Sequence, residues 1–583
     1  MRKIQYMFNY ISHFLRSAKQ INLFCSCLTK TFLCAATFVL LIGQFACSDS
    51  YLEEKPKDKF SPENLLTSRK GFETVLNGLY NFLRLENFIS NNDDAMNTGT
   101  DVACSGVTDG RFFNDYSLIL PEHATPKYLW EWAYMKMLKN ANLIITRAEN
   151  PDINWTEQDK HEIVAEAKFF RAYTYNTLVN LFGGIPIVDK EETSPRFDYV
   201  RATRLEVLEF IKNDLEFSVQ YLPVVNSDVS KDGRVFRAAA YHLLSEVYIS
   251  LGMESGDKSY FDQSIHAATQ VIDGNCGEYK LVTSRFGDTS RPGDYYSDLF
   301  RTGQQNRASG NKESILVLQF EYLTPGGEEA NNTHLRLWGP KFEDVTFPDG
   351  KKMLVCDSLG RMQGIVRPLN HANYEIWDDP DDIRHSEYNF KKDFYMNNPD
   401  SEYFGEKVVL TKKDDGKMYI TLSDGTVTSS SVDTFRVFYP YFRKIEGEQP
   451  WGAMAGRTVN DRYLMRLSET YLLRAEAYFH KGEPDKAAVD INVVRDRAKA
   501  KSVNTSDITI DYILDERMRE LVVEEQRRKT LIRLGKLYER AMKYNFRVQP
   551  NMQPYHELLP IPQKAIDANA GAKLVQNPGY PGA

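Results

Sequence analysis

Residues 156–186 read TEQDKHEIVAEAKFFRAYTYNTLVNLFGGIP. The stretch is one helix with a written start and a written stop. Thr156 is placed to cap it, and Asp159 three residues on completes a capping-box pattern. Ile163, Ala167, Phe170, Thr174, Thr177 and Leu181 recur at helical spacing, and Val164, Lys168, Arg171, Tyr175, Leu178 and Phe182 form a second stripe beside them. A face this wide and bulky belongs between neighbouring helices, not on a surface. Gly183-Gly184 admits the positive φ that ends a helix, and Pro186 prevents its continuation.

The chain of 583 residues is longer than one core requires. Its first 46 residues hold five Lys or Arg and no acid, and residues 31–46, TFLCAATFVLLIGQFA, are apolar and uncharged. Sixteen such residues are short for a bilayer span, which needs about 20. A basic flank, a short apolar core and a small residue before the cut describe a secretory signal, residues 1–46. Cys47 follows Ala46, where a lipoprotein signal peptidase cuts and a lipid attaches, although Gln44 makes the box loose. An ordinary signal followed by a coincidental Cys is the alternative. Residues 47–60 then read as a polar tether. Removing the five basic residues of the signal moves the net charge from −8 to −13. A chain this acidic has no basic footprint for nucleic acid, and attachment to a membrane falls to the lipid. Beyond the signal and Cys47 only Cys104, Cys276 and Cys356 remain, an odd number that excludes a full disulfide framework.

Working outward, helical spacing predicts helices over 67–85, 127–149, 204–222, 235–252, 260–272 and 464–498. Ala238-Ala239-Ala240 permits close helix contact and Gly252 marks the end of its helix; Gly482 marks a turn. The helices group into about four antiparallel pairs, 67–149, 156–222, 234–273 and 464–498, which resemble divergent tetratricopeptide repeats. Residues 519–537 read as a further helix. Between 277 and 460 the period is lost. That third of the chain holds 17 of the 34 Gly and short strand-like runs at 314–320, 407–413, 417–423 and 433–442. Its aromatic content argues for an ordered, loop-rich cap. The expected organisation is a helical scaffold, 61–276 with 461–583, carrying an inserted cap, 277–460.

The searches for catalytic chemistry return little. His161-Glu162 and His556-Glu557 begin a zinc-helix motif, but Ala165 and Pro560 stand where the second His belongs. No Walker-type phosphate loop and no G-x-S-x-G elbow occurs. The acidic run Asp378-Asp379-Pro380-Asp381-Asp382 lacks the central Gly and the spacing of a calcium loop and reads as solvated loop. No metal and no cofactor is expected.

Several signatures then occur in order. The stretch EAKFFRAYTYNTLVNLFGGIPIV resembles the second signature helix of the SusD/RagB family of nutrient-binding outer-membrane lipoproteins. Residues 127–149 resemble the first. Arg462-Tyr463-Leu464 through Arg474-Ala475-Glu476-Ala477, the run Ile491-Asn492 with Arg495, Arg497 and Ala498, and Asp515-Glu516-Arg517 with Arg519-Glu520-Leu521 resemble later ones. Pro560-Ile561-Pro562 and Gln576-Asn577-Pro578-Gly579-Tyr580 resemble the family's close. One departure stands out. Where the family reads E-G-x-R-x-x-D-L-x-R-x-G, this chain has EEQRRKTLIRLG, with Glu525 for Gly and Thr530 for Asp. That motif reads as an Arg–carboxylate cluster supporting helices, so the change bears on local packing.

The resemblance implies a mainly α, SusD-like α-α superhelix. It implies no enzyme, but a lipid-anchored protein at the cell surface that captures glycan for a SusC-like TonB-dependent outer-membrane transporter. Family sites draw on the loop after the first helix and on the cap. Here that implies Asp101, Arg111, Phe113 and Tyr116, with Tyr295, Tyr296, Trp338 and Trp377. The alternatives are a tetratricopeptide-type docking scaffold with little glycan affinity, or capture of a non-glycan nutrient such as peptide.

Overall fold

In the computed structural model the described residues are 62–87, 94–107, 113–225, 232–324 and 332–582. The signal, the tether with Cys47, and Arg111 lie outside them. Pro62–Leu65 is a single helical turn. The remainder, from Leu66 onward, forms one compact unit.

The helix Glu157–Phe182 lies at its centre, with nearly every residue from Ile163 to Phe182 buried. Thr156 caps it by accepting the Asp159 N–H at 3.1 Å. The reciprocal half of the expected capping box is not made, because the Asp159 carboxylate turns outward to Arg69. At the other end Gly183 takes φ 73° and donates to Val179 O. A Cβ on Gly184 would stand 2.3 Å from Ala202 O, so the returning chain needs glycine there. The last carbonyls of the helix find partners 395 residues away in sequence. Asn577 Nδ2 donates to Phe182 O at 3.0 Å, and Arg201 bonds both Phe182 O and Asn577. Gln576 clamps the N–H and C=O of Ile561. The closing signature is thus the C-terminal cap of the opening helix.

Around this rod stand Arg69–Asn87, Arg204–Tyr221, Arg237–Ser255 and Ser259–Ile272. Ala124–Glu131 runs through π-helical turns, Trp132–Leu138, into Lys139–Arg147. Arg204–Tyr221 carries the complete capping box, Thr203 with Glu206. Gly252 does not end its helix, which continues to Ser255 and stops at left-handed Gly256. Its role is close approach: a Cβ there would meet the Phe261 ring at 2.6 Å. Leu467–Lys481 and Pro484–Arg497 extend the stack, and Leu473 and Ala477 pack with Ile249 and Phe261, joining the two ends of the chain.

The intervening residues form short antiparallel pairs. Ser314–Leu318 pairs with Arg462–Arg466, Ala103–Ser105 with Val366–Pro368, Phe390–Lys391 with Tyr441–Phe442, and Val409–Lys412 with Met418–Thr421. The last three pairs contribute to a second apolar core containing Trp338, Phe342, Phe390, Phe394 and Phe442, which also takes in Met518, Val522 and Val523. The single helix read over 519–537 is two. Ile510–Leu521 ends, Val523 turns at φ 74°, and Arg527–Arg533 restarts the helix. The break lets Val522 and Val523 enter the second core while Glu524 and Glu525 reach buried arginines.

Candidate functional site

The loops are set by charged side chains buried beneath them. From Ile510–Leu521, Glu516 accepts Arg384, Arg495 and Arg519 at 2.7–2.9 Å. One turn later Glu520 receives Arg466, Arg497 and Arg384. Glu313 bridges Arg466 and Arg497, and Lys444 joins Glu524. Burial alone would raise the Glu516 carboxyl, but Arg384, Arg519 and Arg495 outweigh it and hold it at about 2. Glu520 lies lower still for the same reason. Arg384 from the irregular region, itself paired with Asp382, meets Glu516 at 2.7 Å, which fastens that region to the helices.

Glu525 fills a linked node. It accepts Arg517 at 2.6 Å, Arg527 at 3.1 Å and the Thr530 hydroxyl at 2.9 Å. The two unusual residues of the EEQRRKTLIRLG segment therefore face one another. The carboxylate has moved from one side of the node to the other, and the hydroxyl binds it.

Most of the residues expected in a ligand site are used inside this framework. Asp101 is fully buried and takes Arg527 at 2.8 Å and Arg540 at 2.6 Å. Burial would raise its carboxyl, but the two guanidiniums hold it well below the ordinary carboxylate range. Phe113 is buried 3.8 Å beneath the Arg528 guanidinium. Tyr116 donates to Gly99 O and accepts from Arg528. Tyr296 is buried with its hydroxyl on Glu520 O. Trp338 is buried with its indole N–H on Asp94 at 3.2 Å. None of these five side chains offers a face to solvent, so the expectation that they contact ligand is corrected to a structural role. Tyr295 and Trp377 are half-buried. Tyr295 donates to Arg497 O, and one face of Trp377 is covered by His385 at 4.6 Å. The structure thus gathers Asp101, Phe113 and Tyr116 around Arg527, Arg528 and Arg540, and sets Tyr295 and Tyr296 at the Arg497 node.

Aromatic groups that are exposed or half-buried stand elsewhere. Gly452 N–H donates to Gln449 O at 2.8 Å and Ala455 N–H to Gly452 O at 3.0 Å, closing a tight loop that ends where Thr458 pairs with Asn332. In that loop Trp451 meets Tyr322 edge-on, ring centroids 5.1 Å apart. Tyr322 is 39% exposed and its neighbour Leu323 66%. Arg336, Arg361 and Arg457 border the same loop. From Arg361 the chain runs beside the short helix His334–Trp338, with Gln363, Gly364 and Ile365 N–H on Arg336, Gly339 and Leu337 O. It reaches Gly106, where a Cβ would stand 2.1 Å from Gly364 O. Arg436, held through its Nε to Gln363 O, leads on to Phe435. Phe435 and exposed Phe546 have centroids 5.9 Å apart, and Arg547 stands 4.5 Å over Phe435.

The edge therefore offers two aromatic pairs with guanidinium and amide groups between them. That suits a chain with apolar C–H faces and polar rims. Sequence reasoning missed it. The available signal was Trp451 set between Pro450 and Gly452, a turn that leaves a large ring little to pack against. Among the described residues no three His, Cys, Asp or Glu side chains gather as a metal would require. No helix among them is long and apolar enough to cross a membrane.

Comparison with known proteins covers most of this unit. The model of the SusD family matches residues 376–580, and one described as starch-binding associating with outer membrane matches 50–249. SusD-like protein P25 of Formosa agariphila is 24% identical over 91% of this chain and 95% of its own length. The starch-binding protein SusD of Bacteroides thetaiotaomicron is 23% identical over 77% of this chain and 78% of its own. Among solved structures, surface glycan-binding protein A of Bacteroides thetaiotaomicron, in complex with laminarihexaose, superposes with a TM-score of 0.62. It is 20% identical and covers 88% of this chain and all of that one. With its helical half and its closing half both matched by models of one family, and the same fold in solved SusD-like structures, the chain belongs to the SusD/RagB family.

Proposed function

We propose that this protein captures glycan at the outer surface of the cell and passes it to a TonB-dependent outer-membrane transporter, without chemical change to the ligand. The observation that carries the reading is the pair of half-buried Trp451 and exposed Tyr322, with arginines near it on the edge described above. In this reading residues 61–276 and 461–583 are scaffold, 277–460 are the cap that presents the edge, and a lipid on Cys47 holds the protein to the membrane. Support comes from the matched relatives, one named for starch and one for surface glycan, and from the family model described as associating with outer membrane.

The test is native electrophoresis of the full-length protein in detergent through gels containing starch, laminarin or other polysaccharides. Retarded migration is expected with at least one, weakened more than about tenfold by Trp451→Ala. Free migration in every gel by a protein that still unfolds cooperatively would sink the reading. Release of new reducing ends would overturn its non-catalytic part. Cys47→Ala is expected to leave the detergent phase on partitioning, and unchanged partitioning would refute the anchor.

A docking role has its own observation. A hollow of about 420 Å³ lies over the scaffold helices, lined by Glu216, Val219, Tyr241, Tyr248, Asp262 and His266. If docking is the main role, substitutions there abolish co-purification with the transporter while Trp451→Ala changes nothing.

A further inference from the structure

Three arginines on the candidate edge lack the carboxylate partners that hold the arginines of the buried charge network. Arg384, Arg466, Arg497, Arg517, Arg527, Arg533 and Arg540 all meet carboxylates within 3.1 Å. Arg336, Arg361 and Arg457 form no ion pair with any described residue. The backbone holds them together. Gly456, at φ 62°, fits where a Cβ would stand 2.5 Å from Arg361 O and 3.3 Å from Arg336 Cβ. Arg361 N–H is fixed on Ala453 O at 2.9 Å, and Gln363 N–H on Arg336 O at 2.9 Å. Arg457 follows directly, next to the Thr458–Asn332 bridge. All three side chains are partly exposed, yet Arg336 Nε is buried with no hydrogen-bond partner.

Glu343, whose carboxyl feels the Arg361 charge, does not neutralise them. One oxygen of Glu343 accepts Gln363 Nε2 at 3.2 Å, and the other is buried without a partner. Burial favours the neutral form of that carboxyl, although Lys341 and Arg361 oppose the shift. On the arginine side, burial and the fields of Arg361 and Arg457 both make the Arg336 charge harder to hold. Three like charges gathered in one place repel one another. A site that keeps them unpaired is prepared for an anion brought from outside, since guanidinium forks bind carboxylate and sulfate oxygens two at a time. Trp451 lies in the same loop as Arg457, six residues before it, and Arg361 is bonded to that loop at Ala453, so an anion held there would lie near an aromatic ring.

We propose that Arg336, Arg361 and Arg457 form an anion subsite beside Trp451, and that the ligand is an acidic glycan carrying carboxylate or sulfate groups. The inference rests on the glycan-binding reading and specifies its substrate class. The test compares the full-length protein with the Arg361→Gln/Arg457→Gln double variant in detergent. Four probes are used: polygalacturonate for carboxylate, dextran sulfate for sulfate ester, laminarin as neutral glycan and polyglutamate as acidic peptide.

Binding to polygalacturonate or to dextran sulfate is expected, and whichever binds names the anion. The double variant should weaken it by about tenfold or more, as loss of charge-assisted hydrogen bonds does. Added salt should weaken it too, because the charges are partly exposed. The melting temperature of the variant should stay equal or rise, since no ion pair is removed. Binding of laminarin alone, equal in both proteins, would overturn the anion subsite and leave the glycan reading intact. Polyglutamate bound more tightly than any polysaccharide would also overturn it. Failure of all three polysaccharides would overturn the anion subsite, and failure of starch and the remaining polysaccharides as well would take down the glycan reading.

Discussion

Two buried helices of this molecule are stabilised in opposite ways. Glu157–Phe182 buries nineteen side chains, of which only Glu166 and Arg171 are charged. Ile510–Leu521 buries eight, and four of them, Glu516, Arg517, Arg519 and Glu520, are charged. The first is held by apolar area and close packing, which ask little of any single partner. The second joins the irregular region to the scaffold through paired charges whose value depends on every partner staying in place. Replacing a whole buried ion pair is often harmless, while removing one member strands the other. The seam should therefore be the more brittle of the two, although it is no less buried.

The largest effect expected is at Glu520, which serves Arg466, Arg497 and Arg384 together. Glu520→Ala is expected to cost about 3–5 kcal/mol in urea unfolding. Hydrogen exchange should rise first in the residues around Arg384 and Lys444. A cost below about 1 kcal/mol would remove the distinction between the two helices.

Acid should separate them next. Glu516 and Glu469 are held at about 2 against an ordinary 4.5, burial opposing and arginines prevailing. Carboxyls depressed in the folded state contribute stability that is fully present above the ordinary value and lost as pH falls from about 4.5 toward 2. Exchange measured at pH 3 and at pH 6 should show protection fading along Ile510–Leu521 before Glu157–Phe182. The converse order would break the comparison. Leu178→Ala probes the apolar helix itself. Leu178 is fully buried, so a loss of about 3 kcal/mol is expected, and of similar size at both pH values.

The sequence carried one of these helices more plainly than the other. Periodicity, Thr156 and Gly183-Gly184 placed the first nearly to the residue, because packing that repeats every turn leaves a repeat in the text. The helix pairs were legible for the same reason, and so were the strands within 314–320, 407–413 and 417–423. But 433–442 is strand only at Tyr441–Phe442, and Arg462–Arg466, read from 464 as helix, is strand. The Asn- and Asp-rich loop around Asp101 was not. It reads as solvent-facing, yet its carbonyls at Ala95 and Thr98 are bound by Arg528 and its carboxylate by Arg527. Those partners are more than 400 residues away in sequence, and no local pattern announces them. Separation in sequence, though shorter, also hides the arginine cluster, assembled from positions 336, 361 and 457, whereas Trp451 between Pro450 and Gly452 could have been noticed. Gly252 misled because a glycine late in a helix can serve as a stop or as a close contact, and only the Phe261 ring decides which.

The exchange at Glu525 and Thr530 gives the finest test of how paired the seam is. Glu525→Gly removes the acceptor of Arg517 and Arg527 and should destabilise, with Glu469 and Asp101 left to hold those two arginines. Thr530→Asp alone sets a second carboxylate against Glu525, whose oxygen is 2.9 Å from the Thr530 hydroxyl, and should destabilise by repulsion. Made together, the changes return the acid to the node from its other side, the arrangement the family motif describes. The double variant should then be more stable than the two single losses added, by a coupling of about 1–3 kcal/mol in a double-mutant cycle. Additive losses would mean that Glu525 is held by its own local geometry rather than by the charge it supplies. The seam would then be a set of separate contacts, and its contrast with the apolar helix would lie only in composition.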